Sequence, residues 1–191
     1  MTFIVGFQHR RDATTFQWML SRRLKKFKLT MHPEKTRLIC FGRYAIQQRK
    51  ERSLRKPEVF TFLGFVHICS HSRKGNFVIK RQTIKKKMRR KLQEIKQELM
   101  RNRHASVVQQ GRWLRKVVQG YYNYYAVPWN IRTLECFGNS VSRYWLHALR
   151  RRSQRHRMPW KKYAKLIKLY IPKVKRLHDY PENRFDAKHS R

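Results

Sequence analysis

Three stretches of the chain concentrate side chains that grip phosphate and stack on bases. The first is "KRQTIKKKMRRK" (Lys80–Lys91), where Lys85, Lys86, Lys87, Arg89 and Arg90 lay down nearly continuous positive charge. The second joins "RNRH" (Arg101–His104) to "GRWLRK" (Gly111–Lys116) and sets Trp113 between Arg112 and Arg115. The third is "RYWLHALRRRSQRHR" (Arg143–Arg157), with Arg143, Arg150, Arg151, Arg152 and Arg155 as candidate contacts. Arginine offers a planar fork to phosphate oxygens, and aromatic rings beside it offer surfaces to unpaired bases. A fourth stretch, "GYYNYYAVPWN" (Gly120–Asn130), divides by helical spacing. Tyr121 and Tyr125 share the apolar face of Leu114 and Val118 and belong to a core. Tyr122, Asn123 and Tyr124 turn partly away and join the RNA-facing set.

Positive charge also suits nucleases and polymerases, which need two or more carboxylates converging on Mg²⁺. The acids are Asp12, Glu34, Glu51, Glu58, Glu94, Glu98, Glu135, Asp179, Glu182 and Asp186, and no two fall together at a strand end. Glu94 and Glu98 read as intrahelical partners of Lys91 or Arg101. His67 and His71 lie on a strand and its turn and read as structural or RNA-facing. Apart from His67 and His71, whose i, i+4 spacing falls on a strand and its turn rather than on a helix, there is no His-x-x-x-His pair, no Cys/His grouping for zinc, no Ser-His-Asp arrangement and no Gly-rich phosphate loop. The sequence predicts no catalytic residue, no metal site and no cofactor.

Charge dominates the composition. The 191 residues hold 48 Lys+Arg against 10 Asp+Glu, a formal net charge of +38. A surface this positive repels itself and needs a polyanion to neutralise it. Nucleic acid leads, because each phosphate contact releases condensed counterions. The alternative, an anionic membrane, lacks support: no run nears the ~18 apolar residues of a spanning helix. Cys40, Cys69 and Cys136 are far apart and odd in number, so three core-facing thiols in a reducing compartment are expected.

These clusters must be held by ordered elements. Apolar spacing predicts a strand over 3–7 and a helix through about Phe27, with Asp12 near its start. A turn at "HPEKT" then leads to a strand over 37–41, and a polar connector covers 43–58. "FTFLGFVHI" reads as one strand over 59–68, turned at Gly75-Asn76 into a short strand over 77–79. From Thr83 the period becomes helical. Ile84, Met88, Leu92, Ile95 and Leu99 form one stripe, followed by helices over about 106–125, 131–152 and 160–170. In the last, Trp160, Tyr163, Ile167 and Tyr170 share a face. The tail after Lys173 is polar and is expected to be loosely ordered. The fold class is therefore α+β: a small, mostly antiparallel unit followed by a helical region.

Four stretches carry a resemblance: "LTMHPEKTRLICFGRYA" (Leu29–Ala45), "FTFLGFVHICS" (Phe60–Ser70), "GYYNYYAVPWN" and "WLHALRRRSQR" (Trp145–Arg155). Together they resemble, in order, the C-terminal half of a bacterial group II intron-encoded reverse transcriptase/maturase. The resemblance implies a partial polymerase palm over 1–80, a thumb and maturase-specific domain over 81–173, and a polar tail over 174–191. It matches Lys35 to a lysine thought to act near the leaving pyrophosphate, and Phe62, Leu63 and Gly64 to the primer grip. In the family a strand like 3–7 follows an Asp-Asp turn that binds the catalytic metals; here Met1 and Thr2 occupy that place. Lys35 is then expected to be idle, and Mg²⁺ to be needed only by a complete polymerase or by the RNA. The expected partner is structured intron RNA, with DNA and an upstream fingers–palm chain as further candidates and no membrane, in a bacterial cytoplasm. The expected function is RNA binding that assists intron folding and splicing. Two alternatives are half of a split RNA-directed DNA polymerase and a decayed remnant without function.

Overall fold

A computed structural model describes residues 3–54, 56–153 and 158–181. Arg155, Met1, Thr2 and the tail beyond Pro181 lie outside them. Six α-helices and one three-stranded antiparallel sheet appear among the described residues, which is the α+β class. The chain divides into two units, Met1–Glu58 and Val59–Arg191, so the strands expected with the first eighty residues belong with the helices that follow.

The first unit is thin. Helix α1 (Arg10–Lys26) has Asp12 in its first turn and Arg23, Lys25 and Lys26 in its last, each placed favourably for the helix dipole. The "HPEKT" turn is a single 3-10 turn, Pro33–Lys35. The two strands expected here do not form: 3–7 and 37–41 carry no ladder. A strand needs a neighbouring backbone to form a ladder with, and neither segment joins the three-stranded sheet. The polar connector instead holds a helix, α2 (Ala45–Glu51), supported by a Gln47 Nε2 to Glu51 Oε1 hydrogen bond of 3.0 Å. Among its described apolar side chains only Ala13 and Ala45 are buried, while Phe3, Ile4, Phe16, Trp18, Met19 and Phe27 are exposed.

The second unit opens on a hairpin. "FTFLGFVHI" is two strands, β1 (Phe60–Phe62) and β2 (Phe65–His71), joined by Leu63 and Gly64. Both turn residues have positive φ, 46° and 85°, the backbone of a type I′ turn whose twist matches the strands it joins. The turn is hidden in the sequence because Phe62, Leu63, Phe65 and Val66 flank Gly64 with apolar side chains. Space also requires glycine here: a Cβ on Gly64 would lie 2.9 Å from the Tyr125 hydroxyl. Strand β3 (Phe77–Thr83) runs longer than expected and pairs with β2 from His71↔Phe77 to Phe65↔Thr83.

Four helices follow: α3 (Lys85–Arg101), α4 (Val107–Tyr125), α5 (Ile131–Arg150) and α6 (Trp160–Tyr170). Ser106 starts α4 with a capping box, its hydroxyl accepting from Gln109 N while the Gln109 side chain accepts from Ser106 N. The core gathers Leu92, Ile95 and Leu99 from α3, Leu114 and Val118 from α4, Phe137, Val141 and Trp145 from α5, and Tyr163 from α6. Two glycines admit aromatic rings: a Cβ on Gly111 would sit 2.5 Å from the Tyr170 ring, and one on Gly138 would collide with the Tyr122 hydroxyl. Asn130, fully buried, bonds the sheet to the helices. Its Oδ1 accepts from Thr83 N at 3.0 Å, and its Nδ2 donates to Thr83 Oγ1 at 2.8 Å and Tyr125 O at 2.9 Å.

The start of the polar tail is not loose. Val174 packs on the core, Leu177 N donates to Ala126 O at 3.1 Å, and Tyr180 stands edge-on to Trp129 at 5.1 Å. None of the three cysteines forms a disulfide, and only Cys69 is buried; Cys40 and Cys136 are exposed, against expectation. A small polarizable side chain follows its helix or loop face, and these two faces are not covered.

Candidate nucleic-acid interface

The amphipathic pattern that builds the core also decides where the cations go. On α3, burying Leu92, Ile95 and Leu99 leaves Lys85, Lys86, Lys87, Arg89 and Arg90 exposed. The first turn of α3 holds no acid and three lysines, at the end where the helix dipole disfavours cations. That arrangement costs stability unless an anion relieves it. On α4, Arg112, Arg115, Lys116, Gln119 and Asn123 follow one another on the exposed side, with Gln119 donating to Asn123 Oδ1 at 2.7 Å. On α5, Arg132, Asn139, Arg143, His147 and Arg150 do the same, with Arg151 exposed just past its end.

Carboxylates neutralise little of this. Within the second unit, the ion pairs among described residues are Arg90–Glu94 (3.7 Å), Lys91–Glu94 (3.1 Å) and Arg101–Glu98 (2.9 Å). Glu94 and Glu98 are thus intrahelical partners, as their spacing implies. In the first unit Glu58 is held by Arg37 at 2.7 Å and Arg49 at 3.7 Å. No three His, Cys, Asp or Glu side chains gather among the described residues.

Several candidate residues stand elsewhere than expected. Tyr122 is 2 % exposed and packs edge-on to Phe137, and burial pushes its hydroxyl up to about 12. It is a core residue, because α4 rotates its buried line through Leu114, Val118 and Tyr122. Tyr121 and Tyr125 are only half-buried; Tyr121 stacks on Phe137 with centroids 3.9 Å apart. Tyr124 is exposed, yet its hydroxyl donates to Leu63 O at 2.6 Å and its ring lies over Phe65. Tyr124 therefore braces the hairpin turn that contains Phe62, Leu63 and Gly64.

Arg152 is half-buried, and its Nη2 donates to the Ala105 carbonyl of the α3–α4 turn. Desolvation lowers its pKa from the ordinary value. It holds a loop rather than standing free for phosphate. Lys35 is exposed in the 3-10 turn. His67 stacks on Phe60 (4.7 Å, 5°) opposite Arg81, and burial with the Arg81 charge lowers its pKa; His71 meets the Phe77 edge.

Sequence reasoning missed the exposed lysines of α6 (Lys161, Lys165 and Lys168), which share one face at i, i+4 and i+7, and also Arg132 and His147. Their spacing was visible, but no dense run marked them. Trp160, expected in the core stripe, is 65 % exposed beside Lys161. No family model, no curated protein and no solved structure matches the chain. Among the described residues, no helix is long and apolar enough to cross a membrane.

Proposed function

We propose that the chain is an RNA-binding protein of group II intron maturase type, which holds structured intron RNA and favours its active fold. The splicing chemistry belongs to the RNA in this reading, and Mg²⁺ serves the RNA. The observation that carries it is the set of exposed, carboxylate-poor cationic faces on α3, α4, α5 and α6, each backed by a buried aromatic and aliphatic core. Lys and Arg displace counterions from closely approaching phosphates, which lets RNA helices pack, and the rigid core fixes where those charges stand.

Titrating a folded intron RNA across a salt series tests the electrostatic half. The logarithm of the binding constant should fall linearly with that of salt, as several phosphates are neutralised; a flat response overturns it. Intron splicing at limiting Mg²⁺ tests the maturase half: the protein should raise the rate, and binding without acceleration reduces the reading to general RNA binding.

A second reading, completion of the first unit by a separate polypeptide, is favoured by the exposed Phe3, Ile4, Phe16, Trp18, Met19 and Phe27. Co-expression with the product of a reading frame immediately upstream should protect residues 3–58 from protease. Unchanged cleavage would remove this reading.

A further inference from the structure

We propose that the cleft at the α3–α4 turn takes one unpaired RNA base, stacked against Trp113, while the sugar-phosphate chain runs outside it over Arg101, Arg103 and Arg112. The proposal rests on the RNA-binding reading and adds to it a place and a chemical class. The cleft has a volume of about 210 Å³ and is lined by Leu99, Asn102, Ala105, Gln109, Gln110 and Trp113, with Glu98 at its edge. Leu99 is 1 % exposed, whereas Trp113 packs on the core yet stays partly open. An apolar recess beside an indole suits a planar heterocycle.

The polar groups are arranged for a base edge. Gln110 is rigid: its Nε2 donates to Asn102 O at 2.6 Å, and its Oε1 accepts from Trp145 Nε1 at 3.0 Å. Gln109 spends its oxygen on Ser106 N at 3.2 Å and keeps an amide donor. Asn102 spends its nitrogen on Glu98 Oε1 at 2.5 Å and keeps an amide acceptor. The lining thus offers one donor and one acceptor without a described protein partner, which is the pairing an exposed base edge satisfies.

Charge separates base from phosphate. Glu98, paired with Arg101 at 2.9 Å, leaves the edge of the recess without net positive charge, which gives a phosphate nothing to seek inside it but tolerates a neutral base. Arg101, Arg103 and Arg112 are exposed around it. Arg152, through the Ala105 carbonyl, fixes the turn that forms one wall.

The test compares a single-stranded RNA oligonucleotide with the same backbone made abasic, using the full chain and Trp113→Leu. Losing one base–aromatic stack should weaken the normal oligonucleotide by about 5- to 100-fold and leave the abasic one unchanged. Equal affinity of wild type and Trp113→Leu for the normal strand overturns the cleft while the RNA-binding reading stands. Failure of the wild type to bind either strand overturns both. If circular dichroism shows that Trp113→Leu does not fold, photocrosslinking of 4-thiouridine RNA to the wild type decides. Adducts within residues 98–113 support the cleft, and adducts only elsewhere overturn it.

Discussion

The two units of this chain use similar residues to opposite effect. Residues 59–181 bury Leu114, Phe137, Trp145 and Tyr163 almost completely, whereas residues 3–58 leave Phe16, Trp18 and Phe27 in solvent. Both have amphipathic helices. The difference is that α3 to α6 meet one another's apolar faces, while α1 finds only a short helix and irregular chain within its unit. An amphipathic stripe is a demand for a partner, and only one unit answers it internally.

That contrast can be broken by mutation, with hydrogen exchange reading each unit separately, since a two-unit chain need not melt in one step. Trp145→Ala should have the largest effect, lowering protection in α3–α6 by about 3–5 kcal/mol, because it opens a cavity and strands the Gln110 amide. Phe16→Ala, a comparable truncation in the other unit, should cost under about 1 kcal/mol. Equal effects would dissolve the comparison. Asn130→Ala comes next, at about 2–4 kcal/mol, because it leaves Thr83 N buried without an acceptor. Protection should fall first at β3 and the start of α3.

Gly138→Ala should cost about 1–3 kcal/mol, since the new methyl meets the Tyr122 hydroxyl. Its thermal midpoint should recover partly in a Tyr122→Phe background.

The smallest expected effect is set by pH. His67 is held below its ordinary 6.5 by burial and then by Arg81. The unfolded chain therefore binds the proton more readily than the folded one below pH 6.5, so folded stability rises with pH through that window. Its contribution is complete above pH 6.5 and is lost as pH falls through the lower folded value. His67→Phe should flatten this part of a stability–pH curve; an unchanged slope would assign it to other groups.

The helical half was largely legible. The boundaries of α4 and α6, the stripe of α3 and the core positions of α5 follow from a period of 3.6. The strands were less so. The segments over 3–7 and 37–41 have strand-like composition, but a strand exists only when another backbone pairs with it, and composition carries no record of the partner. The hairpin at Leu63-Gly64 was hidden because apolar residues run through it. For the candidate interface, density of charge picks out stretches whose cations the structure leaves exposed on α3 and α4. It could not distinguish Arg152, recruited to a loop carbonyl, from Arg150 and Arg151 beside it, which stay exposed.

The sequence by itself determined the excess of cations, the scarcity of carboxylates and the helical period that sends the two to different sides of each helix. Those are properties of residue counts and of spacing along one chain. Tertiary structure decided that Tyr122 is core, that Asn130 ties sheet to helices, and that Trp113 borders a recess between α3 and α4. Each of these depends on which faces meet across long stretches of chain, and packing, rather than local preference, sets that choice.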